Sequence, residues 1–444
     1  MGDARPTEEA STSLALAATL PRNAKRALTE LALAIYGRDS FGRDATIPVR
    51  RWEDGGDDNV ALFLREGVPY ALRLRFCDLQ RLPGAIGGLP SLGRLDLTGN
   101  RLQTLPAALR SLGNLQELRL DGNQFVHIPQ VIFRLPALEI LHLDHNQLEQ
   151  LAANFGNLER LRVLSCYHNH LSALPSTIAD LPAIEQLSVG GNRLTALPPQ
   201  LWGLRTLTLL NVAENLLPSI PEQIGDLSNL QMLDIGHNAL TVLPDALGSL
   251  PQLTHFLYAT HNQLTTLPAT LGNLRQLRYL NVSHNQLTTL PASIGDMTAL
   301  RELRLYNNFL TELPASVGAL AALRELHIDD NQLEQLPSAL GDLSQLQELR
   351  LQGNRLRSLP SEIGQLHALE MLDLRNNRLR SLPATLGGLQ SLRVLDLRAN
   401  ALLSLPHAIA DLPYLQKLDL RWTKLAHAPP WLADLATRGC AVYE

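Results

Sequence analysis

Few side chains in this 444-residue sequence are of types that do chemistry, and their spacing is the first thing to weigh. His145, His168, His237, His261 and His284 stand at multiples of 23 residues, apart from a single step of 24. His142, His170, Asp121 and Asp144 bring metal-ligand types near the first two, because imidazole nitrogen and carboxylate oxygen are donors that zinc and related cations accept. A polar residue at a strand exit is ordinary, however, and duplication of a unit copies its histidine too. No metal site is therefore expected, and a pH-sensitive interface is the other chemistry such a column allows. Cys77, Cys166 and Cys440 form neither a Cys-x-x-Cys pair nor a disulfide framework, which fits a reducing compartment. The sequence has no Gly-rich phosphate loop with Lys and Ser or Thr, no nucleophile elbow and no paired-His helix, so no catalytic residue, cofactor or enzyme activity is expected.

Composition narrows the partner classes. A formal charge of −5 and a pI near 6.2 give no electrostatic case for nucleic acid or an anionic membrane surface, both of which call for a basic face. No apolar run approaches the roughly 18 residues that span a bilayer, and the N-terminus lacks the charged, apolar and cleavage-site order of a signal peptide. A soluble, cytoplasmic protein is expected. Met1-Gly2 hints at myristoylation, but Pro6 occupies the position where Ser or Thr is wanted. EDGGDDN, Glu53 to Asn59, reads as an acidic loop without EF-hand spacing.

The elements that position these groups come from a repeat. The stretch LRYLNVSHNQLTTLPASIGDMTA, residues 277–299, recurs with only some letters changed. Asn285 aligns with Asn100, Asn123, Asn146, Asn169, Asn192, Asn215, Asn238, Asn262, Asn308, Asn331, Asn354, Asn377 and Asn400, and Cys77 and Thr423 extend the frame to sixteen units. Within a unit, Leu280 and Val282 point inward from a short strand while Tyr279, Asn281 and Ser283 point outward. Asn285 turns the chain, its amide donating to and accepting from backbone groups of neighbouring turns to make a ladder. Leu287, Leu290, Ile294 and Met297 complete the apolar fill, and Pro291 and Gly295 fit a return segment too tight for much regular helix. One unit cannot bury its apolar side alone, so stacked units share a core.

The resulting pattern, LxxLxLxxNxLxxLPxxIGxLxx from about Pro69 to Pro429, resembles the leucine-rich repeat family in its 23-residue class, over about four fifths of the chain. The resemblance reaches bacterial members, type III effector-like repeat domains among them. It implies an α/β solenoid, a curved array of about sixteen units with a parallel β-sheet on the concave face, a helical N-terminal cap and a short C-terminal cap. The domain reading is residues 1–21 disordered, 22–68 a helical region and cap, 69–428 the repeats and 429–444 the C-terminal cap. Arg22 to Tyr36 reads as an amphipathic helix, Val60 to Leu64 as strand, and Trp431, Leu432 and Leu435 fall at helical spacing.

Function should lie in the variable outward letters. Six residues before each anchor, the column Ile140, Val163, Gln186, Leu209, Met232, Phe256, Tyr279 is apolar at six of seven positions where the fold demands no burial. Such a stripe is a binding signature, unless neighbouring side chains or the concave curvature cover it. Phe256, Tyr258 and Tyr279 are the natural aromatic anchors, and the candidate partner-binding set is Ile140, Val163, Leu209, Met232, Phe256, Tyr258, Tyr279, Arg304 and Tyr306. Ser165, Ser188, Gly190, Asn211, Ala213 and Gly236 are small and leave room for a partner. An extra residue between Leu253 and Leu257 predicts a bulge that presents Phe256 and Tyr258. Asp373, Asp396 and Asp419 beside Arg375, Arg398 and Arg421 read as a self-paired network or as a steering edge. The expectation is a monomeric, non-catalytic module that binds a protein or peptide, with no nucleic acid or membrane partner. The alternative, which the resemblance permits, is a bacterial effector secreted into the host cytosol, acting as or recruiting for a modifying enzyme such as a ubiquitin ligase.

Overall fold

The computed structural model describes residues 8–36, 46–52, 57–425 and 427–444. The Met1-Gly2 pattern and residues 53–56 of the acidic loop lie outside them. The chain forms two compact units, Met1–Asn215 and Leu216–Glu444.

In the first unit, strands Val49–Arg51, Val60–Arg65 and Val68–Leu74 lead into three-residue strands from Arg94–Asp96 to Leu209–Asn211. The second and third are an antiparallel hairpin, reversed through Glu66 and Gly67, both with positive φ (54° and 78°). Such a reversal matches the strand twist and favours glycine. From Ala71 onward each strand pairs in parallel with residues 23 positions further on. In the second unit the strands from Met232–Asp234 to Ala441–Tyr443 are all parallel.

Each unit is thus a solenoid of the predicted α/β repeat, and the repeated letters do the work assigned to them. Leu280, Val282, Leu287, Ile294 and Met297 are buried. The Asn285 carboxamide oxygen accepts from Leu264 N (3.0 Å), and its nitrogen donates to Ala259 O (2.9 Å) and Val282 O (3.0 Å). One buried side chain therefore satisfies backbone groups of two successive turns. The return segment is a short 3-10 turn, Ala292–Asp296, entered through Pro291 at φ −66°. A Cβ on Gly295 would sit 2.2 Å from Ser316 O, so the next coil can stack there only against glycine.

At the N-terminal end, helix α2 (Arg22–Tyr36) buries Ala24, Ala27, Leu28, Leu31 and Ala32, one stripe at helical spacing. It packs on the turn Gly84–Gly88, where a Cβ on Gly88 would lie 2.9 Å from Asn23 O. Composition predicts disorder for residues 1–21, but Glu8–Thr19 is helix α1. Its Ala- and Leu-rich run has high intrinsic helicity, and Ser13 Oγ accepts from Val49 N at 2.8 Å, tying the helix to the first strand. At the other end, helix α3 (Trp431–Thr437) buries Trp431, Leu432 and Leu435. A strand the sequence reading does not anticipate, Ala441–Tyr443, then pairs with Lys417–Asp419, with Leu420 N donating to Tyr443 O at 2.7 Å. Among the described residues no helix is long and apolar enough to cross a membrane.

Candidate functional site

In the first unit Ile140, Val163 and Leu209 are half-buried on the outward side of the strands, Ile140 directly beside Val163 and Leu209 beside Gln186. The room expected at Gly190 is filled by the Tyr167 ring, whose Cε2 lies 2.6 Å from where a Cβ would be. The Tyr167 hydroxyl bonds to Glu214 and holds the ring there.

In the second unit Met232, Phe256, Tyr258, Tyr279 and Arg304 come together with Glu302 around a hollow of about 400 Å³. Four adjacent strands carry these residues, and register sets Met232 against Phe256, Phe256 against Tyr279, and Asn281 against Arg304. Phe256 and Tyr258, two apart on one face, stack with centroids 4.4 Å apart. Tyr279 is 37% exposed, and the others are half-buried. The extra residue is absorbed just ahead of the strand. Elsewhere one carbonyl takes two amides, as Arg278 O does from Arg301 and Glu302, whereas here Thr254 O accepts from Arg278 (3.2 Å) and His255 O from Tyr279 (3.1 Å). The strand itself stays regular, and His255 is brought to the rim of the hollow.

Arg304 bonds to Glu302 at the hollow's far side; burial opposes its charge, but the Glu302 carboxylate outweighs that and holds the guanidinium's pKa up. Burial, then Glu302, pushes the Tyr258 phenol up, so it stays a neutral hydroxyl. Tyr306 stands apart from this lining, edge-on to His284 at 5.1 Å.

Two expectations about the outward columns need correction. Ser283 is fully buried, its hydroxyl bonded to Asn281 Oδ1 (2.6 Å) and Thr260 Oγ1 (2.8 Å), because longer neighbours close over so short a side chain. Gly190 offers no open room, for the reason given. The C-terminal charges pair among themselves, with Arg398 on Asp396 (2.6 Å) and Asp419 (3.4 Å), Arg421 on Asp419 (2.7 Å) and Arg375 on Asp373 (3.1 Å).

The histidine column has a backbone cause that sequence reasoning missed. His145, His168, His237, His261 and His284 all have φ near +50°, as do Asn307, Asp330 and Asn376 at the same position in other units, and Gly99, Gly122, Gly191 and Gly353 there reach 61–71°. The preference of that column for Gly, Asn, Asp and His was the available signal. His237, His261 and His284 stack at 4.0 and 3.9 Å. Burial, then the neighbouring imidazoles, lowers the pKa of His261. Asp121, His142 and Asp144 do converge, but Asp144 Oδ1 already accepts from Tyr167 N (2.7 Å) and Ser165 Oγ (2.6 Å), and Asp121 from Asp144 N (2.9 Å). His170 is not part of that cluster.

The chain resembles known proteins along its repeats. A family model described as "Leucine-rich repeat region" matches residues 70–171, 266–353 and 338–427, and one described as "Leucine rich repeat" matches 205–264. No curated protein sequence matches. A leucine-rich repeat protein of Leptospira interrogans is similar at 35% identity and TM-score 0.79, over 84% of this chain and 95% of its own. The ectodomain of the plant membrane receptor kinase GASSHO1/SCHENGEN3 from Arabidopsis thaliana, in complex with CASPARIAN STRIP INTEGRITY FACTOR 2, is similar at 29% identity and TM-score 0.60 over 84% of this chain, which spans 52% of that ectodomain. The plant peptide hormone receptor RGFR1, in complex with RGF2, is similar at 27% identity and TM-score 0.62, over 85% of this chain and 70% of its own.

Proposed function

We propose a partner-binding role from one premise: the chain belongs to the leucine-rich repeat family, and its outward strand face holds a protein or peptide. The relatives solved with CASPARIAN STRIP INTEGRITY FACTOR 2 and with RGF2 support a protein-interaction module of this kind. The observation that carries the reading is the aromatic hollow of Met232, Phe256, Tyr258 and Tyr279 beside the Glu302–Arg304 pair. Nothing in the repeat requires those apolar side chains on the outward face, whereas a partner's apolar side chain gains by desolvating them. The pairing of Arg304 with Glu302 presents both a donor and an acceptor to a peptide backbone. Strands locked by the Asn ladder hold the surface ready, which lowers the ordering cost of association.

The test is a peptide-display selection against the intact chain, followed by measured affinities for the wild type and for a Phe256→Ala, Tyr258→Ala, Tyr279→Ala variant whose circular dichroism is unchanged. Loss of at least about 100-fold is expected, since buried aromatic anchors each contribute on the order of 2 kcal/mol. Selected peptides that bind both proteins equally would remove the hollow as the binding surface.

A further inference from the structure

One outward cluster runs on from the Glu302–Arg304 edge of the hollow to residues that the docking role does not use. Glu302, Glu325 and Glu348 face one another across three parallel strands, a row of like charges that costs stability unless compensated. The next column supplies Arg304, His327 and Arg350. Arg304 pairs with Glu302 and Arg350 with Glu348. Among the described residues Glu325 has no Lys or Arg at ion-pair distance, and its partner is the His327 imidazole. The row as a whole is therefore short of positive charge while His327 is neutral.

His327 supplies a second and independent observation. Its side chain is only 10% exposed, yet Nε2 is buried with no hydrogen-bond partner. That atom is aimed between Glu325 Oε2 (3.5 Å) and Glu348 Oε1 (3.6 Å). Both carboxylates stand at the limit of hydrogen-bond reach from that nitrogen, so a cation between the three atoms would satisfy all of them. The three donor atoms lie within 4.8 Å of one another. Bonds of about 2.0–2.2 Å in a tetrahedral shell put neighbouring donors about 3.3–3.6 Å apart, which the two separations from His327 Nε2 match. One imidazole with two carboxylates suits a borderline divalent cation, whereas calcium and magnesium favour oxygen alone.

We propose that Glu325, His327 and Glu348 bind a single divalent transition-metal cation of the zinc class, with water completing its coordination. Glu325 and His327 are two apart on one strand, and Glu348 stands beside Glu325 on the next, so the rigid ladder that stacks the repeats also fixes the three donors. The Arg350 guanidinium competes for Glu348 Oε1 and must share or release it when the cation enters. The pairings of Glu302 and Glu348 leave Glu325 as the carboxylate that most needs the added charge.

Cobalt(II) alone, titrated into the tag-free full chain, is the probe, read by visible ligand-field absorption and by calorimetry with zinc(II). One equivalent should be lost, or its affinity weakened at least about ten-fold, in His327→Gln and in Glu325→Gln, while His142→Gln leaves it in place. Glu325 has a side chain 42% exposed, so that variant keeps the test valid if His327→Gln unfolds. Arg350→Gln should tighten binding several-fold by freeing Glu348. Absence of binding, or affinity indifferent to both Glu325 and His327, overturns the site. Unchanged or weaker binding in Arg350→Gln removes Glu348 and with it the three-donor assignment.

Discussion

At the scale of single residues, the departures from the repeat are as informative as the repeat itself. Cys77 stands where other units carry the ladder asparagine, and it keeps only part of that role. Its amide donates to Asn100 Oδ1 (3.1 Å), and its thiol turns back to Arg75 O (3.3 Å). Burial disfavours the thiolate and pushes the thiol pKa up to about 11. The thiol therefore stays neutral through the physiological range, with roughly one part in a thousand ionised at pH 8. Alkylation of Cys77 by iodoacetamide, followed residue by residue with mass spectrometry, should rise about ten-fold per pH unit from pH 8 to 10. A rate that levels off near pH 8.5 would show an ordinary, solvent-activated thiol there. The left-handed position before each anchor belongs to this scale too, since the same backbone shape recurs there whichever residue stands, Glu214 (φ 53°) and Ala399 (φ 52°) included.

At the scale of one coil, the strands from Arg94–Asp96 onward are three residues long and could not hold together by their own ladders. The asparagine side chains and the tight returns carry much of the inter-coil specificity. Asn285→Ala would strand the buried Leu264 N–H, while the Ala259 carbonyl would lose one of its two donors and keep Asn262 Nδ2 (3.2 Å). The expected cost is about 3 kcal/mol, read as a lower urea midpoint, against less than about 0.5 kcal/mol for the neighbouring exposed Gln286→Ala. Equal midpoints for the two variants would mean that water replaces the ladder without penalty. The 3-10 returns have the same logic in steric form, because Gly295 lies against the backbone of the following coil.

At the scale of the whole molecule, a solenoid's stability is a sum of coil and neighbour terms, so its ends decide whether the core is sealed. Helix α3 and the strand Ala441–Tyr443 lie over the last repeat, where Leu415, Leu418 and Leu420 are buried. Removing residues 428–444 should lower the thermal midpoint by several degrees and produce self-association in light scattering, as newly exposed leucines and an unpaired strand edge seek cover. A truncated chain that stays monodisperse with the same midpoint would assign the cap no sealing role.

What the sequence determined by itself is everything governed by local periodicity. The inward leucines, the ladder asparagines, the tight returns and helix α2 each follow from spacing within one unit or one helical stripe, and spacing is visible in a string. The left-handed column was visible as well, in its Gly, Asn, Asp and His content. Tertiary structure decided which outward side chains remain outward. Tyr167 lies over Gly190, Ser283 disappears beneath its neighbours, and His327 Nε2 comes to rest between two glutamates. It also ordered Glu8–Thr19 and added the final strand. These outcomes depend on rotamers of residues about 23 positions away and on contacts with the ends of the stack, so the same letter is covered in one coil and open in the next.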